Sequence, residues 1–188
     1  MSGLYGKRCG FAALVLFILT IPVGNWVVLN VGTTCYPDGP CVIPVWPGLM
    51  SPSAVLLAGL ALVLRDAVQS LLGNRATIAA ILFGTLLSGL LSDPAVVIGS
   101  AAAFLFSELA DFLVYTPLRR RYPSSAILVS GLVGSIVDSC IFLQLAFGSL
   151  EFVTGQVVGK FWMSLAAAAL LYLWRRRRAA HAEGGAFA

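Results

Sequence analysis

Long apolar stretches alternate along the chain with short breaks marked by polar residues, proline or glycine, and six of the stretches are long enough for a membrane-spanning helix. A hydrocarbon layer about 30 Å thick needs roughly 20 apolar residues at about 1.5 Å each. By that measure spans are expected at about 9–29, 52–72, 77–91, 94–115, 125–147 and 152–174. Ser51 followed by Pro52 reads as an N-cap with proline at the first helical position of the second span, and Asp93-Pro94 repeats the signal at the fourth. The connections 92–93 and 148–151 are so short that the helices they join must be antiparallel neighbours. The expected fold class is therefore all-α: an integral membrane protein with six transmembrane helices in one domain over residues 1–178. Residues 179–188 form a polar, small-residue tail expected to be disordered.

Composition agrees with the pattern. Of the 188 residues 59% are hydrophobic and 11% charged, and the mean hydropathy is +0.93, well outside the range of a soluble domain. Charge distribution adds the topology. Lys7 and Arg8 precede the first span, Arg75 lies between the second and third, Arg119 to Arg121 between the fourth and fifth, and Arg175 to Arg178 after the sixth. All are on one side, whereas 30–50, 92–93 and 148–151 contain no Lys or Arg. The positive-inside rule then places both termini in the cytoplasm, in a multi-pass protein of the cell (inner) membrane. The net charge of +4 is a topology signal of a chain whose partner is the lipid bilayer. Because the basic residues flank spans and form no helical stripe, a nucleic-acid partner is not expected. A cleaved signal peptide is not expected either: no small-x-small site follows Lys7-Arg8, and Pro22, Gly24 and Trp26 suit a kinked span with an outer aromatic anchor.

Cysteine usage divides in two. Cys35 and Cys41 bracket CYPDGPC in the longest outward loop, where oxidation is permitted and the Pro-Asp-Gly-Pro turn would bring them together as a disulfide. The alternative is two unpaired thiols. Cys9 and Cys140 read as small packing residues. No spacing suggests a metal site, no cofactor is implied, and the single histidine, His181, falls in the tail.

Candidate chemistry comes from charges inside the spans. Arg65, Asp66, Glu108, Asp111, Asp138 and Lys160 each oppose insertion by about 2.5–3.5 kcal/mol at a helix centre, so they are expected to face the bundle interior. Ser107, Glu108 and Asp111 share one helical face, as do Arg65 and Gln69, with Asp66 one position round, and Gln156 with Lys160. Together they read as one polar cavity. Interhelical salt bridges that merely lock packing, such as Arg65 with Glu108 or Lys160 with Asp138, are the competing reading. Four acids against two bases leave two negative charges, to be balanced by protons, a cation or a hydrogen-donating substrate. Gly84-xxx-Ser88, Gly131-xx-Gly134 and Gly155-xxx-Gly159 supply close-packing surfaces. Asp66 and Asp111 each precede a cytoplasmic arginine, Arg75 and Arg120, by nine positions, a hint of a two-halves repeat.

The segments SELADFLVYTPLRRR, LVGSIVDSCIFLQLAFGSL and GQVVGKFWMSL together resemble the vitamin uptake transporter family, also called the queuosine precursor transporter family. The likeness covers the second to sixth spans through Ser-Glu-x-x-Asp, Val-Asp-Ser and Gly-Gln-x-x-x-Lys in that order. It departs in RDAVQSLLGNR, which keeps Asp66 and Gly73 but has Ser70 and Leu72 where the family pattern has a glutamate and an aromatic. The resemblance implies import of a purine-like small molecule, 7-cyano-7-deazaguanine (preQ0) or 7-aminomethyl-7-deazaguanine (preQ1). Glu108 or Asp111 would then accept the two adjacent donors of a guanine edge, as one carboxylate can. Asp138 would hold the far edge or an aminomethyl cation, Gln156 a carbonyl, and Lys160 the unoccupied acid. Phe112, Tyr115, Phe142 or Trp162 would stack on the base.

The main rival is the membrane substrate-binding subunit of an energy-coupling factor vitamin importer, although the alanine-based docking surface such a subunit needs is not evident in GFAALVLFILTIPVG. An enzyme is not expected: the spans contain no His, no H-E-x-x-H and no Cys pair, and an acid dyad such as Asp111 with Asp138 is the protease-like alternative. No phosphate-binding loop is present to draw on ATP within the chain. The sequence leaves a homo-oligomer open.

Overall fold

The computed structural model describes residues 2–37, 39–92, 94 and 96–184, with the side chains of 2–5 and 178–184 left aside. It contains α1 (Ser2–Asn30), β1 (Thr34–Cys35), β2 (Cys41–Trp46), β3 (Leu49–Pro52), α2 (Val55–Leu72), α3 (Asn74–Leu91), α4 (Val97–Leu118), α5 (Pro123–Phe147) and α6 (Val153–Gly184). Each of the six helices contains a segment long and apolar enough to cross a membrane. Their outer surface is inverted relative to a soluble protein: Ile98, Leu113, Leu90, Leu86 and Phe11 stand exposed, while Arg65, Glu108, Asp111 and Lys160 are buried. Exposed Trp and Tyr side chains gather near both ends, with Trp26 and Trp46 toward the sheet and Tyr122, Tyr172 and Trp174 toward the arginines, as at two membrane interfaces.

Small residues set the packing. α4 lies along α5, α1 along α2, and α6 against both α5 and α2. A Cβ on Gly59 would sit 2.8 Å from the backbone of Lys160, one on Gly131 would collide with the Ser164 hydroxyl, and one on Gly99 would stand 3.0 Å from Ala146. Such contacts let helix backbones approach closely where lipid offers no hydrophobic drive to associate.

The connection between α1 and α2 is a three-stranded antiparallel sheet in the order β1-β2-β3, which the span pattern did not foretell. Cys35 and Cys41 are direct partners across the β1–β2 ladder and are joined by a disulfide. The β2–β3 hairpin turns through Pro47-Gly48, and Gly48 adopts φ 73°, a conformation that glycine after proline takes at no steric cost. This hairpin packs on the start of α6, where Gly155 meets Met50 and Trp162 donates from Nε1 to the Val45 carbonyl at 3.3 Å while stacking on Trp46.

Several helix ends differ from the expected ones. Ser51 and Pro52 finish β3, paired with Ile43 and Val42, and α2 starts at Val55. Proline is tolerated there because β3 is an edge strand. Pro94 lies in a turn and α4 starts at Val97; the cap expected at Asp93 falls outside the described residues, as do residues 185–188 and the His181 side chain. α5 begins at Pro123 itself, proline at the first turn. Gly73, at φ 88°, alone separates α2 from α3. α6 continues to Gly184, so 179–184 are helical instead of structureless, consistent with the helix preference of Arg and Ala.

Gly59→Ala should lower the detergent melting temperature, by a destabilisation of about 1–3 kcal/mol from overpacking against Lys160. Gly6→Ala, whose Cβ meets nothing within 4 Å, should leave it unchanged or raise it slightly.

Candidate functional site

The charged residues of the spans form two clusters. In the deeper one Arg65 of α2 is completely buried and faces three carboxyl groups: Nη1 is 2.8 Å from Asp66, Nε 3.0 Å from Glu108, and Nη2 2.6 Å from Asp111. The Glu108 contact is an aligned hydrogen bond; those to Asp66 and Asp111 are ion pairs without that alignment. Asp66 follows Arg65 in sequence, and Glu108 and Asp111 come from one face of α4, three positions apart. Gly134 of α5 allows that face to approach, since a Cβ there would lie 3.1 Å from the Asp111 Cβ. The Arg65 guanidinium also lies 5.9 Å from the Tyr115 ring centre.

Lys160 of α6 anchors the second cluster. Its ammonium donates to Asp138 Oδ2 at 2.5 Å, Gln156 Oε1 at 2.5 Å and Ser139 Oγ at 2.9 Å, using all three protons. The clusters meet at Ser107, whose hydroxyl is 3.5 Å from Asp138 Oδ1 and which precedes Glu108 in the chain. Toward the arginine end the polar line continues. Arg65 donates to Gln69 Oε1 at 3.2 Å, and the Gln69 amide donates to Thr116 at 2.8 Å and Asn74 at 3.3 Å. Arg119 closes the line with bonds to the Gln69 carbonyl at 2.5 Å and Asn74 Oδ1 at 2.8 Å.

A cavity of about 100 Å³ occupies the sheet-side half of the bundle. Asp138, Gln156 and Lys160 line it with Asn25, Ser88, Ser100, Phe104 and Phe142. Asp138 keeps 20% of its side chain exposed, against 4% for Asp66, 2% for Glu108 and 0% for Asp111. Sequence spacing therefore merged what the structure separates. Of the residues expected to form one cavity, Asp138, Gln156 and Lys160 line it; Glu108, Asp111, Arg65, Asp66 and Gln69 lie in the sealed network beneath. Both salt bridges entertained as packing locks, Arg65–Glu108 and Lys160–Asp138, are present.

Among the aromatic candidates Phe142 lines the cavity. Tyr115 instead lies by Arg65 with its hydroxyl 2.8 Å from Ser70, Trp162 is engaged by the hairpin, and Phe112 is partly buried away from the cavity lining. Residues the sequence reading did not single out complete the site: Phe104, Asn25 and Ser100 at the cavity, and Thr116 and Asn74 in the line to Arg119. Asn25 could have been found as a lone amide in an apolar span, its Nδ2 donating to Ser92 at 2.7 Å.

Six apolar helices enclosing a largely apolar cavity with a few polar side chains, and a buried ionic network, define a multi-pass membrane protein whose chemistry lies inside the bundle. The family model described as "Putative vitamin uptake transporter" matches residues 90–174. Over those residues the chain is similar to vitamin uptake transporters, in agreement with the motif resemblance. The match takes in Glu108, Asp111, Asp138, Gln156 and Lys160, and leaves Arg65, Asp66 and Gln69 outside the matched segment. Nothing among curated proteins or solved structures matches the chain.

Arg65→Met should destabilise the protein by about 3–5 kcal/mol, because it strands buried carboxylates. Combining it with Glu108→Gln and Asp111→Asn should recover much of that loss, as read by thermal unfolding in detergent.

Proposed function

We propose that this protein imports a queuosine precursor, preQ0 or preQ1, across the cell membrane, and that Asp138, Gln156 and Lys160 hold the base in the sheet-side cavity. The observation that carries the reading is the exposure of Asp138: it is the span carboxylate that a solute in the cavity can reach. A guanine edge presents an N1 hydrogen and an exocyclic amine side by side, which one carboxylate accepts together. Lys160 and the Gln156 amide then face the neighbouring carbonyl oxygen of the base. Phe104 and Phe142 offer rings for its flat faces. The family match supports transport of a vitamin-like solute, and the motif resemblance supports the deazaguanine.

On this reading the sheet and the cavity mouth face outward and the arginine-rich end faces the cytoplasm, in keeping with the positive-inside rule. The cavity is accessible from outside, and the Gln69–Asn74–Arg119 contacts close the path inward. Entry of the base displaces the Lys160 ammonium from Asp138, and the lysine retains Gln156 and Ser139 as partners.

Proteoliposomes containing wild type should take up labelled preQ0 or preQ1. Asp138→Asn should weaken binding at least about tenfold, the loss of a charged hydrogen-bond acceptor worth about 1.5–3 kcal/mol. Unchanged uptake by a folded Asp138→Asn protein would contradict the assignment of the site.

A further inference from the structure

Arg65 is one cation among three carboxyl groups, and all four side chains are at most 4% exposed. The charged groups packed around them do not restore balance. From α6, Lys160 is taken by Asp138 of α5. Arg119, at the end of α4, is bound to the Gln69 carbonyl and to Asn74, the neutral amide that α3 contributes. Tyr115 of α4 lies over Arg65 with its hydroxyl on Ser70 of α2. Even with Arg119 counted, three cations face four carboxyl groups, so full ionisation leaves a negative charge uncompensated inside the bilayer. Such a group is relieved by taking up a proton or a cation. The centre of the three carboxyl groups is already filled by the guanidinium, which leaves the proton.

A second feature, the facing pair of Asp111 and Ser130, offers that proton a seat. Asp111 Oδ1 and the Ser130 hydroxyl are both fully buried and lack an aligned hydrogen-bond partner. Ser130, on the facing side of α5, is directed at the Asp111 carboxyl group. Buried polar atoms without partners are rare enough that each calls for a cause. One hydrogen between the two groups supplies it: the Ser130 O–H donates to an ionised Asp111, and when the cluster takes up the proton its charge calls for, a carboxylic O–H on Oδ1 donates to the Ser130 oxygen instead, with Oδ2 left facing Arg65.

We propose that the Arg65 cluster is a proton-binding site, loaded with one proton on Asp111 at neutral pH, and that this proton couples to solute entry through Ser107, which touches Asp138 and adjoins Glu108. The coupling rests on the transporter reading above; the proton site does not. Binding requires no redox partner: a carboxylate gains a proton and returns it to water on the side to which the site opens.

Infrared spectroscopy of purified protein without substrate tests the site. Wild type at neutral pH should show the C=O stretch of an un-ionised carboxylic acid, absent from folded Asp111→Asn. Ser130→Ala, which keeps every charge, should shift that band without removing it. Absence of the band from wild type, its persistence in Asp111→Asn, or indifference to Ser130→Ala would overturn the assignment. Coupling is read in proteoliposomes with preQ0. Wild type should accumulate it with an acid exterior, approaching about tenfold per unit of pH gradient for one proton per molecule. Asp111→Asn should keep preQ0 exchange and lose that accumulation. Wild-type uptake indifferent to the gradient would overturn the coupling. Failure of wild type to exchange preQ0 or preQ1 would overturn the substrate reading instead, with the infrared result still deciding the proton site.

Discussion

A guanidinium buried in a lipid-embedded bundle is among the most expensive groups a chain can desolvate, and Arg65 is wholly buried. Its burial is tolerable because Asp66, Glu108 and Asp111 surround it within 3.0 Å and Tyr115 offers a ring face. That requirement ties α2 to α4 and draws α5 in behind Asp111. Gly134 is then needed where α5 crosses the carboxyl group. Lys160 makes the same demand of α5 and α6 one layer nearer the sheet, and Gly59 lets α2 come close behind it. Two buried cations thus organise four of the six helices.

The two ionic layers differ in what surrounds them, and that difference divides their roles. Around Arg65 the helices close completely. Above Lys160 they part, because α1 and the start of α4 present small or short polar residues, Gly24, Ser100 and Ala103, to the interior. The sheet between α1 and α2 caps this side and grips α6 through Trp46 and Trp162. On the opposite side Arg119 fastens α4 to the α2–α3 junction. A cavity on one side and an ionic closure on the other is the asymmetry that the proposed transport would need at one end of its cycle.

Much of this was legible in the sequence because lipid imposes simple rules. Span length and the clustering of arginines between apolar stretches follow from the thickness and polarity of the bilayer, and the six helices lie close to where those rules put them. The i, i+3 and i, i+4 spacings at Glu108–Asp111 and Gln156–Lys160 correctly placed side chains on shared faces. What spacing could not convey was depth relative to neighbouring helices. Asp138 and Asp111 are both acids in mid-span, yet the first lines the cavity at 20% exposure and the second is sealed at 0%. The sheet escaped for a different reason: most of Cys41 to Pro52 reads as the loop before the second span, and Ser51-Pro52 as the start of that span. Its signal was the Pro47-Gly48 turn between strand-forming residues.

The central claim is that the solute binds beside Asp138 and not among the carboxyl groups around Arg65. A structure determined with preQ0 bound tests it most directly. Density for the base is expected between Asp138, Gln156 and Lys160, flanked by Phe104 and Phe142, with the Arg65 cluster intact beneath. Density inserted between Arg65 and Glu108 or Asp111, with the Lys160–Asp138 pair undisturbed, would contradict it.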